Sequence, residues 1–144
     1  MSLVSTTELR PAPVHPFRVL VVDDDRMQLR ALQRMVKDRS HVELTAVDNA
    51  IDAMIAVGAL KPDLVVMDVF MPGLDGFAVL EELAHQPAPR PCVIACSGVK
   101  VVNGQDVLVK AAILGADGVL TKPFGRDQLS QAIRQCLGRD WVRA

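Results

Sequence analysis

The chain has 144 residues, enough for one domain with a well-buried core. Hydrophobic residues make up 50% of it, which excludes a disordered chain, and aromatic residues only 3%, so aliphatic side chains must fill most of the core. The net charge is −1 without a long run of either sign. This balance argues against a basic nucleic-acid-binding face and against a polybasic membrane anchor.

The sequence carries no sign of a leader or a membrane span. Glu8 and Arg10 interrupt the stretch where a signal peptide would be apolar, and no apolar run approaches the roughly 20 residues of a spanning helix. Cys92, Cys96 and Cys136 lie in apolar segments, and we expect core residues that form neither a disulfide nor a metal pair. The odd number of cysteines suits a reducing compartment, so we expect a cytoplasmic protein without direct nucleic-acid or membrane contacts.

Residues 1–16 contain three prolines and no periodicity, which is typical of a flexible lead-in. From residue 17 onward, short apolar runs alternate with helical spacing. The predicted strands are residues 19–22, 42–47, 64–67, 92–96 and 119–120. The predicted helices pass through Leu29, Leu32, Met35 and Val36; span 50–60 after an Asn49 cap; pass through Phe77, Leu80 and Leu83; span 105–114; and pass through Leu129, Ile133, Cys136 and Leu137.

Apolar strands that alternate with helices usually form a parallel sheet covered on both faces. Right-handed crossovers then place helices on both sides of that sheet. The sequence therefore predicts a doubly wound five-stranded α/β domain over residues 17–139, followed by a short tail, 140–144. Because so few residues follow the last helix, we expect no separate output domain in this chain.

Polar residues collect directly after the predicted strands. They are Asp23, Asp24 and Asp25 after the first strand, Asp68 after the third, Ser97 after the fourth and Lys122 after the fifth. These positions share the carboxyl edge of a parallel sheet, where open α/β sheets bind ligands. Clustered carboxylates favour a hard cation such as Mg²⁺, which commonly accompanies phosphate. A lysine and a hydroxyl beside them can hold a phosphoryl group, and Asp68, alone at its strand end, is the best nucleophile.

Four stretches resemble the motifs of the response-regulator receiver family. They are residues 19–25, residues 64–68 continuing through 71–76, residues 93–98 and residues 122–124. Each is weak alone, but all four in order at the correct strand ends are highly specific, and the resemblance covers about residues 17–137. It implies a flavodoxin-like sheet of order 2-1-3-4-5 and a role in two-component signalling.

The resemblance also implies a magnesium site. Asp24 is similar in position to the direct Mg²⁺ ligand, and Asp23 to the residue that acts through water. Asp68 would be both the phosphoacceptor and a metal ligand. The backbone carbonyl of Phe70 would complete the metal shell, without its side chain taking part.

Further positions imply which residues contact the phosphoryl group and respond to it. Ser97 is similar to the switch hydroxyl that bonds a phosphoryl oxygen, Lys122 to the phosphate-pairing lysine, and Pro123 to a residue often preceded by a cis peptide. The family usually has an aromatic residue at Val119, so activation here would rely on Ser97 and loop movement. Phe70 and Val99, both apolar, lie two residues after the acceptor and the switch residue, and we expect slow autodephosphorylation.

Other notable residues have structural interpretations. Asp25 is expected to start a helix rather than bind metal, and Asp75 with Gly76 to shape the start of the third helix. Met27, Met35, Met54 and Met67 are expected to fill the core. Trp141 could pack on the last helix or contact a partner.

Three functions remain open at this point. In the first, a histidine kinase or phosphotransfer protein donates to Asp68, and the face of helix 4, strand 5 and helix 5 changes its contacts with an effector, an output domain or a second copy. That protein is not an enzyme beyond its own phosphorylation and slow autodephosphorylation. The second is an Asp-nucleophile phosphatase, which Phe70 disfavours because an acid/base Asp is wanted there. The third is a degenerate receiver that docks constitutively, which Val119 keeps open.

Overall fold

The computed structural model describes residues 16–37, 41–71 and 74–138. A five-stranded parallel sheet forms its centre, and its strands are β1 (Phe17–Val22), β2 (Val42–Val47), β3 (Leu64–Asp68), β4 (Cys92–Ser97) and β5 (Gly118–Thr121). The helices are α1 (Arg26–Met35), α2 (Ala50–Leu60), α3 (Gly76–Ala84), α4 (Val107–Leu114) and α5 (Arg126–Leu137). The strand order β2-β1-β3-β4-β5 confirms the predicted fold class and topology.

The sheet is buried on both faces, as its apolar strands predict. Every residue of β3 and β4 is buried, whereas the edge strand β2 is half-buried or exposed throughout. Alternate side chains point to opposite faces of each strand. In β1, Val19 and Val21 pack with Leu32 of α1 and Ile133 of α5. Leu20 and Val22 of the same strand join a second cluster with α2, α3 and α4.

Four helices start at a residue whose side chain caps them. The caps are Asp25, Asn49, Asp75 and Asp106, and each side chain accepts a backbone N–H of the first turn of its helix. Such a cap stabilises a helix by about 1 kcal/mol. The structure thus confirms the interpretation of Asp25 and Asp75 as helix-start residues and of Asn49 as a cap.

The start of α4 differs from the predicted residue 105. Residues 105–106 instead pair antiparallel with 101–102 in a short hairpin. Asn103 and Gly104 form its turn with φ of 51° and 76°, the left-handed conformation that Asn-Gly adopts readily in hairpins. A second antiparallel pair joins Phe70–Met71 to Leu74–Asp75. Pro72 and Gly73, which were predicted to form a loop there, lie outside the described residues, as do residues 1–15 of the lead-in, residue 139 and the tail 140–144.

The prediction that the cysteines form no disulfide is wrong. Cys92, the first residue of β4, and Cys136, in the last turn of α5, are joined by a disulfide, with Cα atoms 6.1 Å apart. The two residues are 44 positions apart, and they meet because α5 packs across the amino end of β4. Cys96 is free and buried, as expected of a core residue.

The expectation that four methionines fill the core is wrong for Met27. Its side chain in the first turn of α1 is 78% exposed, because the buried face of that turn is occupied by Gln28. Met67 is fully buried, and Met35 and Met54 are partly buried against the two clusters. In the part of the chain that the structure describes, none of the helices combines the length and apolar character needed to cross a membrane.

Two glycines provide a matched test of the packing. A Cβ on Gly76 would press on the backbone of Val69, 2.7 Å from its carbonyl carbon, whereas a Cβ on Gly58 would meet nothing within 4 Å. We expect Gly76→Ala to lower the free energy of unfolding by about 1–3 kcal/mol through overpacking. Gly58→Ala, in the interior of α2, should raise it by about 0.5–1 kcal/mol. Urea denaturation of both variants measures this, and equal effects would contradict the packing at Gly76.

Candidate functional site

The carboxyl ends of four strands bring the predicted polar residues to one edge of the sheet. Asp68 and Ser97 are the last residues of β3 and β4 and are buried. Asp23 and Lys122 directly follow β1 and β5, and the Asp23 side chain is buried as well. Asp24, next along the chain, is exposed at the mouth of the site. All five are therefore where the strand-end pattern predicts them.

Lys122 joins two carboxylates of this site. Its Nζ lies 2.6 Å from Asp23 Oδ2 and 2.7 Å from Asp68 Oδ2. Burial lowers the pKa of Lys122, but the hydrogen bonds to the two carboxylates outweigh burial, and the pKa is raised overall. Burial raises the pKa of Asp23, and the contact with Lys122 opposes that shift. The charged ammonium thus holds two mutually repelling carboxylates together.

Backbone donors orient both carboxylates. The N–H of Asp25 donates to Asp23 Oδ1 at 2.9 Å, and the N–H of Phe70 donates to Asp68 Oδ1 at 2.8 Å. Each carboxylate therefore has one oxygen held by the main chain and the other by Lys122. This arrangement keeps the Asp68 carboxylate in a defined position at the end of β3.

The acidic residues have the composition of a divalent-cation site. Asp23, Asp24 and Asp68 each offer one carboxylate oxygen within 4.8 Å of the other two. Hard cations such as Mg²⁺ take oxygen ligands and retain waters, which the exposed position of Asp24 allows. Asp25 is outside this set because its carboxylate caps α1. These residues fit a magnesium ion.

Ser97 is bonded within its own loop. Its hydroxyl donates to the carbonyl oxygen of Val99 at 2.8 Å and accepts the N–H of Val99 at 3.0 Å. The N–H of Lys122 donates to the carbonyl oxygen of Ser97 at 2.9 Å, so the ends of β4 and β5 are connected. The Lys122–Pro123 peptide is cis, as the resemblance implies.

Two further aspartates line the approach to the site, although neither was predicted to belong to it. Asp48 and Asp52 share a concavity of about 310 Å³ with Asp23, Asp24 and Asp25. Asp48 could have been found by the strand-end rule, since it directly follows β2. The concentration of negative charge attracts cations to this edge.

The apolar residues near the site differ in exposure. Phe70 is 45% exposed and Val119 is 39% exposed, whereas Val99 is half-buried. Val119 occupies the β5 position at which the family usually has an aromatic residue, and its side chain points away from the core, whereas the adjacent Leu120 is buried in it.

Residues 19–134 match the family model of the response regulator receiver domain. The chain belongs to this family. Receiver domains are signalling domains that work with histidine kinases and output domains, and they typically bind Mg²⁺ through acidic residues.

Three curated relatives differ in the share of their length that this chain matches. The positive alginate biosynthesis regulatory protein of Pseudomonas aeruginosa is 34% identical over 81% of this chain, which matches 46% of that protein. A protein-glutamate methylesterase/protein-glutamine glutaminase of Myxococcus xanthus is 36% identical over 76% of this chain and 31% of that protein. The chain thus spans less than half the length of both. In contrast, it matches 96% of the chemotaxis protein CheY of Listeria monocytogenes, at 29% identity over 82% of this chain.

Solved receiver structures share the fold. The receiver domain of a response regulator from Bermanella marisrubri superimposes with a TM-score of 0.72 at 33% identity and covers 85% of this chain and 99% of that one. The response regulator domain of Thermotoga maritima CheB gives a TM-score of 0.69 at 27% identity and covers 88% and 99%.

The two ion pairs of Lys122 predict that substitutions of Lys122 and Asp68 have non-additive effects on stability. We expect Lys122→Met to lower the free energy of unfolding in Mg²⁺-free buffer by about 3 kcal/mol, because it leaves two buried carboxylates without their cation. The same change should cost clearly less in an Asp68→Asn background, where one of the two charges is gone. Chemical denaturation of the unchanged protein, the two single variants and the double variant gives the coupling energy. Additive losses of stability would contradict an ion pair between Lys122 and Asp68.

Proposed function

We propose that this protein is a response-regulator receiver that accepts a phosphoryl group on Asp68 in a Mg²⁺-dependent reaction. The donor is a histidine kinase or a phosphotransfer protein. The observation that carries the proposal is the position of the Asp68 carboxylate, with Lys122 on one oxygen and the oxygens of Asp23 and Asp24 within 4.8 Å. The Cys92–Cys136 disulfide removes the cysteine argument for a reducing compartment, so the assignment of the protein to the cytoplasm rests on its family alone. Its chemistry is limited to its own phosphorylation and slow autodephosphorylation, so it is not an enzyme with an external substrate.

The residues divide the phosphoryl transfer among them. A carboxylate oxygen of Asp68 attacks phosphorus, the bond from phosphorus to the donor atom breaks, and its electron pair leaves with the donor. Lys122 exchanges the Asp68 oxygen for a phosphoryl oxygen, which its flexible stem permits. Asp23, Asp24 and Asp68, with the backbone carbonyl of Phe70, would hold Mg²⁺. When bound, this ion offsets the charge of the carboxylates and of the phosphoryl oxygens.

Ser97 connects this chemistry to the surface of the domain. To donate to a phosphoryl oxygen, the Ser97 hydroxyl must give up its hydrogen bond to the carbonyl oxygen of Val99. The loss of that bond frees the loop after β4, which leads into the 101–106 hairpin and α4. On α4 and β5, Val109, Ile113 and Val119 are exposed by 57%, 78% and 39%. We propose the α4–β5–α5 face as the surface that an effector, an output domain or a second copy contacts. Val119 lacks an aromatic ring, so the Ser97 loop carries the change.

The proposal predicts labelling of a single residue. Incubation with Mg²⁺ and acetyl phosphate should add one phosphoryl group in a hydroxylamine-labile acyl linkage, measured as intact mass. Asp68→Asn should abolish the gain because the nucleophile is lost, and EDTA should abolish it in the unchanged protein. Asp48→Asn is the matched control, since Asp48 lies at the same sheet edge outside the proposed ligand set, and it should label almost normally.

Equal labelling of the Asp68→Asn variant would remove Asp68 from its role. If the folded protein fails to label with acetyl phosphate and also with a cognate kinase, the receiver chemistry is absent and constitutive docking becomes the better description.

The apolar flank of the site predicts a long-lived phosphoryl group. The side chains of Phe70 and Val99 have no group that could hydrogen-bond to an attacking water and orient it. Loss of the phosphoryl group from the labelled protein should therefore take minutes or longer. Phe70→Gln should accelerate the decay because its amide can hold a water, whereas the apolar control Phe70→Leu should leave it slow. Time courses of intact mass after removal of the donor measure both rates, and a half-life of seconds in the unchanged protein would contradict this role.

A further inference from the structure

A cavity of about 470 Å³ lies at the amino edge of the sheet, opposite Asp68. Its walls come from the carboxyl-terminal half of α2, from the segments that precede β3 and β4, and from the end of α5. Its volume falls within the range of small-molecule sites, about 300–1,000 Å³. Cys92 and Leu137 are both part of the lining. The cavity therefore borders the disulfide, because Cys136 directly precedes Leu137.

The two sulfur atoms of the disulfide differ in their surroundings. Cys92 is 5% exposed and lines the cavity, whereas Cys136 is half-buried in the last turn of α5. A carboxylate oxygen of Asp117 lies within 4.8 Å of both sulfur atoms. Two hydrogen bonds from Arg90, at 2.9 and 2.6 Å, balance the charge of that carboxylate. An anionic nucleophile can therefore approach the disulfide without meeting an unpaired negative charge.

The lining also contains an anchor for a carboxylate. Lys61 directly follows α2, is exposed, and forms no ion pair with any of the described residues. Asp63, the one acidic residue among the described residues of the lining, accepts the backbone N–H of Arg18 at 2.8 Å. The ammonium of Lys61 is thus left for a ligand that carries a carboxylate.

These features match one class of reactant. Thiol–disulfide exchange needs a thiolate that can reach one sulfur of the bond. In the cytoplasm, small thiols of the glutathione class keep accessible disulfides reduced. Such thiols have the size of a tripeptide and carry carboxylates. The cavity offers them sufficient volume, a cation for a carboxylate, and a disulfide at its wall.

We propose that the Cys92–Cys136 disulfide is a reversible exchange site for a small thiol of the glutathione class, which binds in this cavity and attacks Cys92. The thiolate sulfur forms a bond to Cys92 Sγ and the disulfide bond breaks. Its electron pair moves to Cys136 Sγ, which takes a proton from solvent. A second thiol attacks the ligand's sulfur in the mixed disulfide, so that the two ligands leave as one oxidised disulfide and Cys92 becomes a thiol. The reverse sequence, with the oxidised ligand, closes the bond again.

Opening the bond changes the molecule locally. Leu129 and Ile133 of α5 are 1% and 0% exposed, and their packing holds the helix on the sheet with the bond open or closed. The last turn of α5, around Cys136, loses its covalent link to β4. The fold therefore survives the reaction, which is what makes the exchange reversible.

The rate at which glutathione reduces the folded protein tests the proposal. We expect the disulfide to open without denaturant and to close again with oxidised glutathione. Quenching with N-ethylmaleimide in denaturant adds one label to the closed form, at Cys96, and three labels to the open form, which intact mass distinguishes. Peptide mapping of the mixed disulfide should place glutathione on Cys92.

Variants of the lining test the route. A Cβ on Gly58 meets nothing within 4 Å, so Gly58→Leu extends a large side chain into the cavity and should slow reduction by glutathione and by 2-mercaptoethanol several-fold. Gly58→Ala is the matched control and should leave both rates unchanged, because the reaction occurs in the folded protein. Lys61→Gln should slow reduction by glutathione several-fold and leave the rate with uncharged 2-mercaptoethanol unchanged.

Four results would overturn the proposal. A disulfide that opens only in urea, or that oxidised glutathione fails to close again, would be a purely structural bond. Equal rates for Gly58→Leu and Gly58→Ala would place the attack outside the cavity. Glutathione found on Cys136 in the mixed disulfide would do the same. Unchanged reduction of Lys61→Gln by glutathione would remove the carboxylate anchor and with it the proposed class of ligand.

Discussion

The ion pairs that Lys122 makes with Asp23 and Asp68 are the interaction on which the site depends. Two carboxylates that follow neighbouring strands of a parallel sheet are forced into proximity by the fold, and in a buried location they would repel each other or take up a proton. The ammonium at 2.6 and 2.7 Å removes that conflict. In the proposed reaction, a divalent cation would supply a second positive charge to the same carboxylates, and the incoming phosphoryl oxygens would take over the contact with the ammonium.

The packing of the sheet favours loops as the route of the proposed response. β3 and β4 are buried along their whole length, and a packed core resists gradual deformation. The groups that can move lie beyond the strand ends, and the Ser97–Val99 hydrogen bonds connect the site to them. The hairpin at 101–106 lies between Val99 and α4, so in the proposed switch a change in the Ser97 loop would reach the exposed apolar side chains of α4 through this hairpin.

The sequence was sufficient for the parts of the structure that depend on local pattern. Apolar runs identified all five strands of the sheet, and the strand-end rule placed Asp23, Asp68 and Lys122 together, because both follow from chain periodicity and parallel topology. It was insufficient where contacts join distant segments. Nothing in the spacing of Cys92 and Cys136 indicates their disulfide, which depends on the packing of α5 against β4. The start of α4 was missed for a different reason, since helical apolar spacing was followed through an Asn-Gly turn that marks a hairpin.

β4 and α5 connect the two edges of the sheet. β4 runs from Cys92 at the amino edge to Ser97 at the carboxyl edge. α5 begins four residues after Lys122 and runs back towards Cys92, a length of about 18 Å for its 12 residues. The Cys92–Cys136 disulfide therefore joins these two elements at the edge farthest from Asp68, because α5 packs across β4 in the direction that brings its last turn to the start of the strand.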